Sequence, residues 1–168
     1  MAISFFSDAN QTINVFLTFD AAVSLSESEK SDYLTKGEFL GTKTLDATEF
    51  TLKALSPSER EEAEMKAGSF TRSELGRLLW TESPSDEKEK ATWQHSLSDD
   101  EKQALSSYQA YINRVYLEMI RASLVAIDGE DATLDMIQTI RPESHRVQAI
   151  TELVLHIQRI SLLGDSGK

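Results

Sequence analysis

The segment Ser98–Ile127 contains neither Pro nor Gly, and it constrains the fold more than any other. Ser98 and Glu101 have the spacing of a capping box at the start of a helix. Asp128-Gly129 follows the segment, and Gly readily adopts the left-handed conformation that ends helices. We therefore predict one helix over the whole segment, roughly 43 Å long at ~1.5 Å per residue. Residues that share one mainly apolar helical face recur at intervals of three and four: Leu105, Tyr108, Ile112, Val115, Met119, Ser123 and Ile127.

Composition limits the classes of protein to be considered. A chain of 168 residues with 40% hydrophobic side chains can form one domain with a real core. It contains no Cys, which excludes disulfides and thiol nucleophiles. The N-terminal sequence MAISFFSDANQ lacks the basic region and apolar run of a signal peptide. No apolar stretch approaches the ~20 residues of a membrane span, so we expect a soluble intracellular protein.

The negative charge is concentrated in the first part of the chain. Residues 1–101 carry 20 acidic and 10 basic side chains, whereas residues 102–168 carry 8 and 7. Such an acidic surface argues against binding nucleic acid by phosphate neutralisation. It is compatible with a merely solvated surface, with a basic protein partner, or with mimicry of a polyanion.

Two segments of the N-terminal part have the alternating pattern of β-strands, Thr12–Phe19 and Thr48–Leu55. We expect these strands to pair with each other and to rest on a helix, because an isolated hairpin is marginal in water. Helices are predicted from Ser26 to about Lys36, from Pro57 to about Ala67, and after Thr71, each with Ser or Thr three residues before Glu.

The segment Thr81–Leu97 is rich in charge and contains Pro84, which predicts a linker in which a short helix around Asp86–Trp93 is possible. Trp93 either docks on the domain or forms an exposed contact site. Beyond the long helix we predict a short helix within Asp131–Ile140 and a last helix over Pro142–Leu163, whose apolar stripe favours antiparallel packing on the long helix.

These elements predict a mainly α protein with a small N-terminal β element (α+β), which contains two long antiparallel C-terminal helices plus several short helices. The predicted organisation is an N-terminal region of a β-hairpin and short helices at 1–80, a linker at 81–97, and a C-terminal helical region at 98–168. We expect these parts to pack as one domain.

No pattern in the sequence indicates catalysis, a metal ion or a cofactor. The three histidines, His95, His145 and His156, lack the spacing of metal ligands. Asp128-Gly129-Glu130-Asp131 lacks the spacing of a calcium loop. Phosphate-binding glycine motifs and the GxSxG nucleophile motif are missing too. We therefore do not expect an enzyme.

Three short motifs resemble those of the tail assembly chaperones of long-tailed phages. The segment Phe50-x-Leu52-x-x-Leu55-Ser56-x-x-Glu59-Arg60 is similar to the strand-then-helix entry of that family. Ser123-Leu124-Val125-x-x-Asp128-Gly129 is similar to its SLV-x-x-DG passage, and Glu152–Gly164 is similar to its last helix. The resemblance covers roughly residues 48–68 and 115–164.

The resemblance implies a non-enzymatic protein in the cytoplasm of the host cell. It would bind the tape measure protein, keep it soluble and pass it to the tail tube protein, and self-association is a further possibility. The contact residues would lie on the apolar faces of the long helix and the last helix, and at Trp93. The two faces could equally pack on each other. The candidate partner-binding residues are Trp93, Tyr108, Tyr111, Ile112, Val115, Met119, Val154 and Ile157. The alternative is an acidic DNA mimic that inhibits a nucleic-acid-binding host protein.

Overall fold

The computed structural model of the chain describes residues 11–68 and 83–162, apart from the side chains of Glu87 and Leu162. The predicted helix after Thr71 lies outside these residues. The helices are α1 (Glu27–Lys36), α2 (Pro57–Ala67), α3 (Glu87–Ser96), α4 (Asp99–Ser123), α5 (Leu134–Gln138) and α6 (Glu143–Leu162). The strands are β1 (Thr12–Val15), β2 (Val23–Ser24), β3 (Thr42–Lys43), β4 (Phe50–Lys53), β5 (Leu124–Ile127) and β6 (Glu130–Asp131).

The fold class agrees with the prediction, since the described chain is mainly α with a small β-sheet. It divides into two compact units. The described parts of Met1–Ala63 and Tyr116–Lys168 form one, here called the sheet unit, and those of Glu64–Val115 form the other, the helical unit. The boundaries fall inside α2 and α4 rather than at either end of the predicted linker. Within that linker, residues 87–96 are helical, as α3.

Four strands form an antiparallel sheet in the order β1-β4-β5-β6. The predicted pairing of the first two strands is confirmed, with Ile13 opposite Leu52 and Val15 opposite Phe50. Alternate side chains of β4 are buried, which explains the period of two in the sequence. Strands β2 and β3 form a separate antiparallel pair.

The long helix ends four residues earlier than predicted. It stops at Ser123, and Leu124–Ile127 forms β5, which pairs with β4. The residues that we interpreted as a helix stop are the turn of a β-hairpin between β5 and β6, with φ of 52° at Asp128 and 80° at Gly129. Two consecutive positive φ angles are typical of a type I′ turn, which Asp-Gly favours. The helix changes to a strand directly after Ser123. The buried hydroxyl of Ser123 donates a 2.6 Å hydrogen bond to the Lys53 carbonyl of β4, which holds this point of the chain against the sheet.

Three predicted capping boxes are present. In α1, Ser26 accepts from the Glu29 amide and the Glu29 carboxylate accepts from the Ser26 amide. The same reciprocal pair occurs between Ser56 and Glu59 in α2, and between Ser98 and Glu101 in α4. Each box satisfies amides that the helix itself leaves without an acceptor, which is why these helices begin at the predicted residues.

The last helix lies at the centre of the sheet unit. Helix α6 makes its most extensive contacts with α1, α5 and β4 rather than with α4. Its inward residues are fully or nearly buried: Ala149, Glu152, Leu153, Val154, His156 and Ile157. The apolar stripe predicted for this helix is therefore largely core, although Val147 at its beginning is exposed.

The two glycines Gly37 and Gly129 give a first prediction. Both have a φ of 80°, so Ala at either position is strained by about 1 kcal/mol. A Cβ at Gly129 has open space around it, whereas a Cβ at Gly37 collides with the Arg159 guanidinium. We expect Gly37→Ala to lower the free energy of unfolding by roughly 2 kcal/mol and Gly129→Ala by about half as much, measured by urea denaturation. Equal losses would mean that Arg159 moves aside without cost.

Candidate functional site

An apolar groove of about 400 Å³ opens on the sheet unit between the sheet and α5. Its deepest side chains, Leu17, Phe50 and Ile137, are buried. Above them the groove is lined by half-buried Phe19, Ile127 and Ile140, together with Met136, which is 44% exposed. Seven apolar side chains from four separate segments therefore converge on one concave surface that remains open to solvent. Asp20, Thr48 and Thr139 complete the lining.

The wall that carries Leu17 and Phe19 is held by a buried carboxylate. Glu152 of α6 is 3% exposed, and its two oxygens accept hydrogen bonds of 2.7 Å from the amide and the hydroxyl of Thr18. Gln148 donates a further bond of 2.9 Å. This anchor explains why the predicted strand Thr12–Phe19 is wrong beyond Val15, since the chain turns here to meet α6.

Two more anchors act on either side of the Thr18 turn. The amide of Phe16 donates to the buried Tyr33 hydroxyl of α1 at 2.8 Å. The Asp20 carboxylate accepts from the amides of Ala22 and Thr48, at 2.9 and 3.0 Å. The segment between β1 and β2 is thus fixed by side chains from α1, α6 and its own turn, which makes this wall of the groove well defined.

The opposite wall depends on the β5–β6 hairpin. The Glu49 amide donates to the Asp128 carboxylate, and the Asp128 amide donates to the Glu49 carbonyl, both at 2.8 Å. This reciprocal pair places Ile127 opposite Phe50 at the edge of the groove. The turn that ends β5 is therefore also the part that positions this wall.

A polar layer lies within the core where α1 meets α6. His156 is fully buried, its ring lies 4.8 Å from that of Tyr33, and its Nδ1 accepts from the Arg159 guanidinium at 3.2 Å. Because Nδ1 is an acceptor, the neutral ring carries its proton on Nε2. Burial, and secondarily the Arg159 charge, lower the pKa of His156 to about 4. Burial also raises the pKa of Tyr33.

One negative charge belongs to the lining of the groove. Among the residues that the structure describes, Asp20 is the only charged one that lines it. Asp128 follows the lining residue Ile127, but its carboxylate accepts from the Glu49 amide at 2.8 Å, and Asp135 lines a separate depression together with Arg121. Both oxygens of Asp20 already accept backbone amides, so this residue shapes the loop. The groove therefore presents an apolar surface to solvent, and the one charge in its described lining is already bound by the backbone.

The structure separates the predicted partner-binding residues. Trp93, Tyr108, Tyr111, Ile112 and Val115 belong to the helical unit, whereas Met119, Val154 and Ile157 belong to the sheet unit. Four of the eight are buried and contribute to the core in this structure: Val115, Met119, Val154 and Ile157. The other four are partly exposed. Trp93 lines a shallow depression on α3 with Lys88, Glu89, Thr92 and Ser96.

Sequence reasoning did not find the groove, because its residues come from four segments with no shared motif. One signal was present in the sequence. Met136 belongs to the predicted short helix but lies outside the apolar positions that recur there at intervals of three, Leu134, Ile137 and Ile140. An apolar side chain outside the buried face of a short helix is a candidate for an exposed contact.

Comparison with known proteins adds no assignment. No protein-family model, curated protein or solved structure matches this chain. Within residues 11–68 and 83–162, no group of His, Asp and Glu side chains is arranged to hold a metal ion. None of the helices in the same residues combines the length and the apolar character needed to span a membrane.

Replacing the buried carboxylate tests the Glu152 anchor. In Glu152→Gln, the amide nitrogen cannot accept from Thr18, so one of two buried hydrogen bonds to a charged group is lost. We expect the free energy of unfolding to fall by about 2 kcal/mol and hydrogen exchange at the Thr18 amide to accelerate. Glu143→Gln on the same helix removes only an exposed pair with Arg146 and should cost less than about 0.5 kcal/mol. Equal costs for the two variants would contradict the anchor.

The buried histidine predicts a pH dependence of stability. The unfolded chain protonates His156 near pH 6.5, whereas the folded chain does so only near pH 4. The unfolded state therefore binds more protons between these values, and stability falls as the pH drops from 6.5 to 4, by up to about 3 kcal/mol. We expect His156→Gln to remove this part of the slope in urea denaturation across that range. His145→Gln, which changes an exposed histidine of the same helix, should keep it.

Proposed function

We propose that this chain is a non-enzymatic tail assembly chaperone of a long-tailed phage. It binds the tape measure protein in the cytoplasm of the host cell, keeps it soluble, and delivers it for assembly of the tail tube. The proposal rests first on the three sequence segments that resemble this family. It rests second on an open apolar groove in a strongly acidic protein, which is a surface suited to a protein partner.

The position of the resembling segments supports the proposal. Phe50 and Leu52 of the first segment pair with Ile127 and Leu124 of the second, in adjacent strands. The described part of the third segment, residues 152–162, is the second half of α6, which contacts β4 and whose Ser161 hydroxyl accepts from the Leu55 amide at 2.9 Å. Segments that lie far apart in the sequence thus form one continuous part of the sheet unit. Such an arrangement is expected if they descend together as a structural core.

The groove favours binding over chemistry. Its lining is apolar apart from Asp20 and two threonines, and Asp20 is occupied by backbone amides. An active site generally needs several convergent polar groups within reach of a substrate. A client that exposes apolar helical stripes would instead need an apolar surface on a soluble, highly charged carrier. The net charge of −11 would keep such a complex in solution.

The alternative, an acidic DNA mimic, is less well supported. A mimic requires a nearly continuous negative face, but cations are interleaved with the acids of the N-terminal part. Lys30 pairs with Glu27, Lys36 with Asp32, and Lys53 with Glu59, each at 2.8 Å or less. These pairs place cations within the negative surface, which favours the chaperone.

Co-expression tests the proposed function. The chain would be produced together with a long helical tape measure protein encoded beside it, followed by pull-down and light scattering. We expect a soluble complex of defined mass, while the tape measure protein alone is insoluble. The matched control is an unrelated acidic protein of similar size and charge, which should not rescue solubility. Aggregation of the tape measure protein in both cases, with no complex, would refute the proposal.

A further inference from the structure

We propose that α1 is an acid-sensitive element of the sheet unit: protonation of the buried His156 ring detaches α1 from α6 while the sheet stays folded. The inference goes beyond the proposed function and does not depend on it. Three features carry it, namely the attachment of α1, the hydrogen bonding of the His156 ring, and the charges on the elements that surround this ring.

Helix α1 is attached to the sheet unit through few contacts. Of its ten residues, only Tyr33 is buried. The centre of the Tyr33 ring lies 4.8 Å from that of His156, and the Tyr33 hydroxyl accepts from the Phe16 amide at 2.8 Å. A helix that buries so little apolar surface gains little free energy from packing, so its attachment depends on these contacts.

Arg159 adds a second link between α1 and α6. Its guanidinium donates to Nδ1 of His156 at 3.2 Å. The same guanidinium lies against Gly37, the residue that ends α1, so closely that a Cβ there would collide with it. A cation is favourable at this position, because the C-terminus of a helix carries a partial negative charge. One arginine therefore contacts both the end of α1 and the His156 ring.

Protonation of His156 removes the hydrogen bond to Arg159. A protonated ring donates from both nitrogens and accepts from neither, so Nδ1 would face a donor of Arg159 with two positive charges side by side. Nε2 has no acceptor among the described residues. A charged ring without acceptors is costly to bury. Because Tyr33 of α1 packs against the ring, displacement of α1 gives the protonated ring access to water.

The charges around His156 do not compensate a protonated ring. Within the described chain, Arg159 is the only charged group that shifts the pKa of His156, and it lowers this pKa as burial does. On α6, both oxygens of Glu152 are bound by Thr18. Tyr33 is neutral below pH 8, because burial raises its pKa above the ordinary value of 10.0.

The charged side chains of the neighbouring elements have other contacts. The ion pairs on α1 and at β4 are Glu27 with Lys30, Asp32 with Lys36, and Lys53 with Glu59. Glu29 of α1 accepts from the Ser26 amide, and Asp135 of α5 lines a separate depression with Arg121. On the segment after α1, Glu38 and Lys43 are exposed.

The sheet is held by contacts that do not involve α1. Strand β4 pairs with β1 and with β5. Glu152 of α6 binds Thr18, and Ser161 of α6 binds the Leu55 amide. These contacts remain when α1 detaches, so the expected opening is local rather than global.

The direction of the pH effect follows from two protonation equilibria. With α1 attached, the pKa of His156 is about 4, whereas a ring exposed to water has the ordinary value of 6.5. The open state therefore binds more protons between these values, and opening becomes more favourable as the pH falls. From pH 7.5 to pH 5, the equilibrium constant for opening should rise roughly 25-fold.

Native-state hydrogen exchange, followed by NMR in urea below the unfolding transition, tests the inference. The amides of residues 31–36 in α1 would be compared with those of β4, after correction for the intrinsic pH dependence of exchange. We expect α1 to open about tenfold more readily than β4, with little dependence on urea, because local opening exposes little surface. The opening constant of α1 should show the roughly 25-fold rise.

The critical variant is His156→Gln, which keeps an acceptor for Arg159 but cannot be protonated. Opening of α1 should then change less than about twofold between pH 7.5 and pH 5. The matched control is His145→Gln, at an exposed histidine of the same helix, which should keep the full rise. Tyr33→Phe should increase opening about fivefold at every pH, since it removes only the hydrogen bond to Phe16.

A titration of the natural chain gives a second measurement in case His156→Gln does not fold. NMR would follow the His156 ring and the α1 amides in one sample as the pH is lowered. We expect the opening constant of α1 to stop rising near pH 4, where the ring also titrates with α1 attached. A ring that titrates at its ordinary pKa while α1 stays protected would overturn the inference.

Three results of the exchange experiment would also contradict it. Equal opening and equal urea dependence of α1 and β4 would mean that His156 is exposed only by global unfolding. A rise that survives in His156→Gln would assign the pH dependence to other groups. Opening of α1 that does not change with pH would mean that α1 separates without exposing His156.

Discussion

The buried contact between Glu152 and Thr18 is the interaction on which the sheet unit depends. A carboxylate removed from water is costly unless hydrogen bonds replace the lost hydration. Here both oxygens are occupied, by the amide and hydroxyl of Thr18, and Gln148 adds a third donor. The contact joins residues 134 positions apart in the sequence and ties the first strand to the last helix. It also ends β1, and so turns Leu17 and Phe19 towards the sheet and α5.

Much of the fold follows from local sequence patterns, which can be recognised without knowing the structure. Ser56 and Glu59 form their capping box because the two side chains need only each other and the first turn of the helix. The alternation of β4 is likewise readable, since burial of Phe50 and Leu52 on one face has a period of two. The start of a helix and the buried face of a strand are local properties, and both were predicted correctly here.

The features that could not be predicted depend on distant partners. Leu124–Ile127 continues the apolar pattern of α4, and only the free edge of β4 makes it a strand. The same Asp-Gly pair stops helices and turns hairpins, so the sequence alone could not decide between them. The groove could not be predicted from the sequence for a similar reason. Leu17, Phe50 and Ile137 meet only because the Glu152 anchor, the strand pairing and the short helix coincide.

The hairpin after β5 has a consequence for how this protein behaves among many copies of itself. Strand β6 forms one edge of the sheet, and it consists of Glu130 and Asp131, both exposed. Exposed strand edges are sites where sheets of neighbouring molecules join and grow into aggregates. Two adjacent carboxylates make that growth unfavourable, because a copy arriving edge to edge would bring its own negative charges against them. The sheet can therefore present an apolar groove to solvent while its adjacent border discourages polymerisation.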